Sequence, residues 1–243
     1  MARTLMLAAV AVLLTGAAPA SVSPVVVELF TSQGCSSCPP ADAALAQVAD
    51  RPDVIALSFG VTYWDRLGWR DTFARPEFTE RQRAYARRLG HDPYTPEVIA
   101  GGREDSVGNS RRIVDALIAA AARAPAATRV TATPGEAWIA AGVAPRGGAD
   151  VWLVRYDPRT ARVPVKAGEN NGKTLPIRNV VRSLTRLGSW EGPAVRFALP
   201  EAGADLRGVV IVQGRSGADP GGGRRLSGQA SRLVVIYTPA NSA

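Results

Sequence analysis

Cysteine and histidine are nearly absent from this chain: its 243 residues hold two cysteines, one histidine and only two methionines. Two cysteines cannot build the several spaced bridges by which small exported folds are stapled. A lone histidine and no methionine-rich tract leave little for a soft-metal store. Also missing is any run of the ~20 apolar residues that a membrane-spanning helix requires. No internal repeat is present, and no nucleic-acid-binding motif accompanies the basic residues.

What is present begins with a leader-like N-terminus: Arg3, an apolar run from Leu5 to Leu14, then "GAAPA" with small residues at Ala18 and Ala20. This pattern predicts a cleaved secretory signal peptide over residues 1–20 and a periplasmic or secreted location. No cysteine adjoins the cleavage site, so neither a lipid anchor nor stable membrane insertion is expected. The formal charge of +8 is carried almost wholly by arginine. "RQRAYARR" (81–88), with Arg111 and Arg112, reads as a patch for an acidic partner or as a solvated helix face. Without a nucleic-acid motif the second reading is preferred, and no nucleic-acid partner is expected.

Residues 25–32, "VVVELFTS", are apolar on both faces, as in a buried central strand. Helical spacing over 39–48 and a second strand over 54–64 make a βαβ start with a parallel pair. An aromatic connection, "YWDRLGWRDTF", leads to a helix over 77–89. A strand over 97–100, a Gly-Gly turn, a short return strand and a helix over 109–123 opened by Asn109 complete this part. From residue 124 the texture turns to short β-rich runs, at 129–133, 136–140, 151–156, 161–166, 195–199, 209–213 and 233–237. Their alternation fits an antiparallel sandwich. Residues 177–188 fit a helix or a long strand, and 216–225 a flexible hairpin loop. The expected organisation is an α/β domain over 24–123 and a β-rich sandwich-like domain over 124–243.

Both cysteines sit in "ELFTSQGCSSCPPADAAL", as Cys35 and Cys38, between the first strand and the first helix. A Cys-x-x-Cys at a helix start suits thiol chemistry: helix N–H groups favour a thiolate, and the second thiol is near enough to close a disulfide. The order of elements, the Cys-x-x-Cys and "YTP" at 94–96 ahead of a strand resemble the thioredoxin fold over about residues 24–123. More narrowly, "VELFTSQGCSSCPPAD", "YWDRLGW", "FTERQRAYA", "YTP" and "GEN-GKTL…NVVRSL" resemble the secreted thioredoxin-like family termed domain of unknown function 1223. The resemblance implies a central mixed sheet flanked by helices. It further implies an exposed attacking thiol at Cys35, a resolving thiol at Cys38 and a cis-proline at Pro96, with the Thr95 backbone offered to an extended substrate. Glu28 would be the buried acid that accepts the resolving cysteine's proton, although it lies one residue further from Cys35 than the fold's pattern.

Two departures bear on the thiols. Ser36 and Ser37 replace the residues common between such cysteines, supplying hydroxyl donors but no fixed cation. Pro39 and Pro40 remove two N–H donors from the first turn, and proline pushes Cys38 out of the helical region. Both predict a less stabilised thiolate than in the strongest oxidants, hence an intermediate or reducing potential.

Three readings follow. The chain is an exported thiol-disulfide oxidoreductase acting on cysteine-containing exported proteins or a redox partner, with no cofactor. Alternatively it delivers copper(I) through Cys35, Cys38 and His91. In the third it is a non-catalytic binding module whose disulfide fastens a turn, which a short loop stabilises little. The aromatics Tyr63, Trp64, Trp69 and Phe73 wall a groove beside the thiols or pack the core. No chemistry is assigned to "GENNGKTL" (168–175).

Overall fold

A computed structural model describes residues 24–124, 128–201, 203, 205–215 and 234–238. The leader over 1–20 and the loop expected at 216–225 lie outside the described residues.

Strand β1 (Val25–Thr31) is buried on both faces and pairs in parallel with β2 (Val54–Gly60). Helix α1 (Pro39–Ala46) connects them, starting at the first of two prolines, where a missing N–H is harmless. A 3₁₀ turn (Asp65–Leu67) interrupts the aromatic connection, and α2 (Pro76–Leu89) follows, ended by Gly90 at φ 82°. Strand β3 (Glu97–Ala100) runs antiparallel to β1. It turns at Gly101 and Gly102, both at positive φ, into β4 (Glu104–Ser106). At helix α3 (Arg111–Ala122) the N-cap position is Ser110 rather than the expected Asn109, and its side chain makes no capping bond.

The remaining strands are β5 (Val130–Thr133), β6 (Glu136–Ile139), β7 (Ala149–Pro164), β8 (Thr174–Trp190), β9 (Val195–Ala198), β10 (Arg207–Gly214) and β11 (Val234–Thr238). Two runs expected as separate strands are one long β7, and the ambiguous 177–188 is strand β8. These strands fall into two sheets, the larger of which is shared with the first half. Four of them extend the first half's sheet, in the order β11-β10-β7-β8-β2-β1-β3-β4, and β5-β6-β9 form a second, three-stranded sheet. The join is narrow. β2 and β8 share a single register pair, Ser58 with Val180. Ser58 Oγ donates to the Arg178 carbonyl (2.9 Å) and Asn179 Nδ2 to the Ala56 carbonyl (2.9 Å). Asn179 reaches inward from a positive φ of 53°, a conformation asparagine tolerates better than most residues.

The large sheet has a different core on each face. On one face Val26, Phe30 and Phe59 pack with Phe78 and Tyr85 of α2, and on the other Val27, Leu29 and Val98 pack with Leu45 of α1 and Val114 and Ile118 of α3. A third cluster, including Val130, Ile139, Val151, Trp190 and Val210, joins the small sheet to the extension of the large one. The loop from β1 to α1 leaves the sheet at the C-terminal end of β1, so the Cys-x-x-Cys lies at that end of the central strands, beside the start of β3.

Candidate functional site

Four stretches meet at Cys35: the loop after β1, the aromatic connection, the turn before β3 and the hairpin between β7 and β8. Cys35 Sγ lies 3.1 Å from Ser37 Oγ and receives the Thr95 hydroxyl at 3.5 Å. Thr95 Oγ1 in turn accepts Trp64 Nε1–H at 2.7 Å. The Thr95–Pro96 peptide is cis, with the Thr95 carbonyl 4.0 Å from Cys35 Sγ. Cys35, Cys38, Thr95 and Pro96 therefore share one site, and Ser37 supplies the hydroxyl expected of it.

The thiols are unequal. Cys35 is held down from 9.0 to about 6, first by the neighbouring Cys38 thiol, then by Ser37 and Thr95, against the opposing effect of burial. Burial and the proximity of Cys35 push Cys38 far up, so it stays a thiol. Both are free cysteines. Contrary to expectation, Cys35 is not exposed: its accessibility is 0 %, while Ser36 and Ser37 above it are open to solvent. Cys38 also departs from expectation, keeping helical angles (φ −75°, ψ −38°) in spite of Pro39. Its carbonyl takes the first free N–H groups of α1, those of Ala41 and Asp42. The thiolate is thus stabilised chiefly by side chains, with a smaller contribution from the Ser37 backbone N–H, while the Ala41 and Asp42 N–H groups of α1 are already occupied.

Glu28 is not near the cysteines. On β1 it shares the face of Val26 and Phe30, beneath α2, whereas α1 covers the opposite face. Its carboxylate accepts Arg81 Nε (2.5 Å), Arg81 Nη2 (3.0 Å) and the Tyr85 hydroxyl (2.5 Å). Arg81, read from sequence within a solvated face, is buried and also donates to Gln213 Oε1 of β10. The acid on the cysteine side is Asp42, one helical turn beyond Cys38. Burial pushes it up to about 8, and its charge contributes to the rise of Cys38. Asp42 Oδ2 accepts the Thr31 hydroxyl at 3.2 Å, and Oδ1 is buried with no partner. The i,i+4 spacing on α1 was the signal for it.

The loop carrying the cysteines is held from two further directions. Buried Asp71 accepts the N–H groups of Gln33, Phe73 and Ala74. The Gln33 side chain binds Trp69 Nε1 and Thr72. Of the four aromatics, Trp64 bonds Thr95 and Trp69 bonds Gln33, Phe73 lies under Arg182, and the Tyr63 hydroxyl has no partner. From the other half, Glu169 accepts Ser36 N–H (2.9 Å), and Asn170 Nδ2 donates to the carbonyls of Gln33 (3.0 Å) and Cys35 (2.8 Å). Gly168 permits this approach with φ 72° and only 3.3 Å between a would-be Cβ and Trp69. The stretch to which no chemistry was assigned forms a wall of the site. His91 is absent from it. The histidine stands with Glu97 and Asp105, and no three-residue group of potential metal ligands among the described residues includes either cysteine.

Residues 26–213 match the family described as "Protein of unknown function (DUF1223)", and the chain belongs to that family. It is similar to a protein of Agrobacterium tumefaciens solved by X-ray crystallography, at 32 % identity over 90 % of this chain and 95 % of that one, with a TM-score of 0.70. HBP35 of Porphyromonas gingivalis shares the fold more distantly, at 15 % identity over 91 % of this chain and 76 % of that one, with a TM-score of 0.55. No curated protein matches the chain.

Proposed function

We propose that this protein is a thiol-disulfide oxidoreductase built on a thioredoxin-like unit over residues 24–123, exchanging Cys35 and Cys38 with cysteine-containing exported proteins. One observation carries the reading: a thiol held at about 6 beside a buried partner that stays protonated. The sheet order β2-β1-β3-β4, the cysteines at the start of α1 and a cis-proline at the start of β3 support the thioredoxin-like assignment. The leader-like residues 1–20 fit a periplasmic or secreted location. In this proposal the residues from 124 onward do more than recruit partners, since Glu169 and Asn170 hold the loop in which the chemistry occurs.

In the reducing direction, the Cys35 thiolate attacks one sulfur of a partner disulfide. A Cys35–partner bond forms, the partner S–S bond breaks, and a partner thiolate leaves. Cys38 then gives its proton to the Asp42 carboxylate and attacks Cys35 Sγ. The mixed disulfide breaks, Cys35–Cys38 forms, and the second partner thiolate departs to be protonated. The reverse sequence oxidises a partner dithiol. A carboxyl near 8 suits this transfer, because it can both take and return a proton close to neutral pH. The buried Cys35 sulfur must first be uncovered by displacement of Ser37.

The test is trapping. Cys38→Ser should accumulate mixed disulfides with exported proteins on diagonal gels, and Cys35→Ser should not. Equal yields from the two variants would overturn the assigned roles, and adducts from neither would leave a non-catalytic module. Copper(I) delivery through Cys35, Cys38 and His91 has no geometric support, as His91 stands with two carboxylates instead.

A further inference from the structure

His91 lies just past the end of α2, set there by Gly90 at φ 82° and by its own N–H bonding the Ala86 carbonyl. Glu97 opens β3, and Asp105 on β4 pairs in register with Ile99, so the two acids lie diagonally on one face of the hairpin. His91 Nε2 stands 3.6 Å from Glu97 Oε1 and 3.5 Å from Asp105 Oδ2. Ligand atoms of all three lie within 4.8 Å of one another.

Three observations make this more than a charged cluster. The Glu97 side chain is 0 % exposed, yet its Oε1, the atom facing His91, has no hydrogen-bond partner. Leaving a buried carboxylate oxygen unpaired is unfavourable, and a bound cation removes the penalty. Secondly, His91 Nδ1 is 2.9 Å from the Asp92 carbonyl, which can only accept, so the neutral ring carries its proton there and turns the Nε2 lone pair toward the acids. Nε2 is likewise without a hydrogen-bond partner. The third is spacing: two ligands ~2.1 Å from a common ion at tetrahedral angles stand about 3.4 Å apart, close to the two distances from His91 Nε2 and longer than a good hydrogen bond. An outer layer is present too. Gln82 Nε2 donates to Glu97 Oε2 (2.7 Å), leaving Oε1 free, and the Tyr94 hydroxyl donates to Asp105 Oδ2 (2.9 Å). Such support orients ligating carboxylates.

We propose that His91, Glu97 and Asp105 form a binding site for a divalent first-row transition cation, zinc(II) fitting the spacing best, with its fourth position left to water. The site is independent of the thiols but adjoins their support. Tyr94 and Glu97 bracket Thr95 and Pro96, and Gln82 Nε2 bonds both the Tyr94 carbonyl and Glu97. A bound ion would therefore fix the ends of the segment that faces Cys35.

The experiment uses the full chain carrying Cys35→Ser and Cys38→Ser, so that thiols cannot bind the probe and the redox reading is not involved. After chelator treatment, zinc(II) is titrated calorimetrically and cobalt(II) is followed by visible absorption. One equivalent should bind, raising the melting temperature. Affinity should fall about tenfold or more in His91→Ala and in Asp105→Asn. Both side chains are partly exposed, so these variants should stay folded, and circular dichroism verifies it; His91→Asn, a smaller change, serves should His91→Ala unfold. Absence of saturable binding, or an affinity indifferent to all of these substitutions, overturns the site. So does an NMR spectrum showing a doubly protonated His91 ring at neutral pH that zinc(II) leaves unchanged, since the trio would then be an ion pair only.

Discussion

At Cys35 the usual means of stabilising a thiolate are missing, and others take their place. The two prolines of the first turn have no N–H to give, and the next two N–H groups bond the Cys38 carbonyl. What lowers Cys35 is first the Cys38 thiol, then two hydroxyls, and last the Ser37 backbone N–H. Alkylation of Cys35, which follows its thiolate, should accelerate as pH rises through about 6 and level off above it. In Cys38→Ala the midpoint should move up toward 9.0, the ordinary thiol value, and an unmoved midpoint in iodoacetamide kinetics would refute the source named here. Asp42 makes a separate prediction. Its pKa, 3.8 when unfolded and about 8 when folded, is raised, so the folded state binds the proton more tightly. The stability it contributes is complete below pH 3.8 and is lost as pH rises through about 8. Asp42→Asn should therefore gain stability over wild type progressively across that window in urea melts. The same change should slow Cys38 attack on a Cys35 mixed disulfide by about 100-fold, the lower range for loss of a general base. Stopped-flow release of a chromogenic thiol measures it.

At the scale of elements, β1, buried on both faces, gives each face a different task. The thioredoxin-like resemblance implies Glu28 as the proton acceptor, but strand alternation turns it toward α2. There it anchors Arg81, and Arg81 lies over the rings of Phe59, Tyr85 and Trp152 as well as reaching Gln213. Glu28→Gln leaves that buried guanidinium uncompensated and should destabilise the fold by about 3–5 kcal/mol. The midpoint of Cys35 alkylation and the rate of Cys38 attack should not change. A slowed attack would return the proton-acceptor role to Glu28. The strands and helices of the first half were legible because local periodicity reports burial: 97–100 was read as the strand that forms, and α2 begins one residue before the expected 77. Which face a charged residue occupies was not read, nor was the use of Asp42, since both depend on which helix covers which side of the sheet.

The molecule as a whole is joined by contacts that no local pattern encodes. Asn170 bonds backbone carbonyls 135 and 137 residues away, and Ser58 meets Arg178 at a separation of 120. The compositional shift at 124 is real, yet the strands beyond it continue the first sheet, because an exposed outer edge of β2 is a pairing surface that β8 covers. From sequence, "GENNGKTL" carries no assigned chemistry. Folding the long β7–β8 ribbon carries that stretch to the cysteine loop, a placement set by ribbon length and the register beside β2. Asn170→Ala removes the donor from two buried carbonyls and should destabilise the protein by about 1–3 kcal/mol. Because one of those carbonyls belongs to Cys35, the loop should also open more often, and a bulky maleimide should label Cys35 faster while the pH midpoint stays near 6. Arg196→Ala, which breaks an exposed ion pair with Glu136 on the small sheet, should change neither quantity measurably. If Asn170→Ala lowers stability but leaves maleimide labelling at the wild-type rate, the second half is a scaffold for the sheet and no part of the thiol site's control.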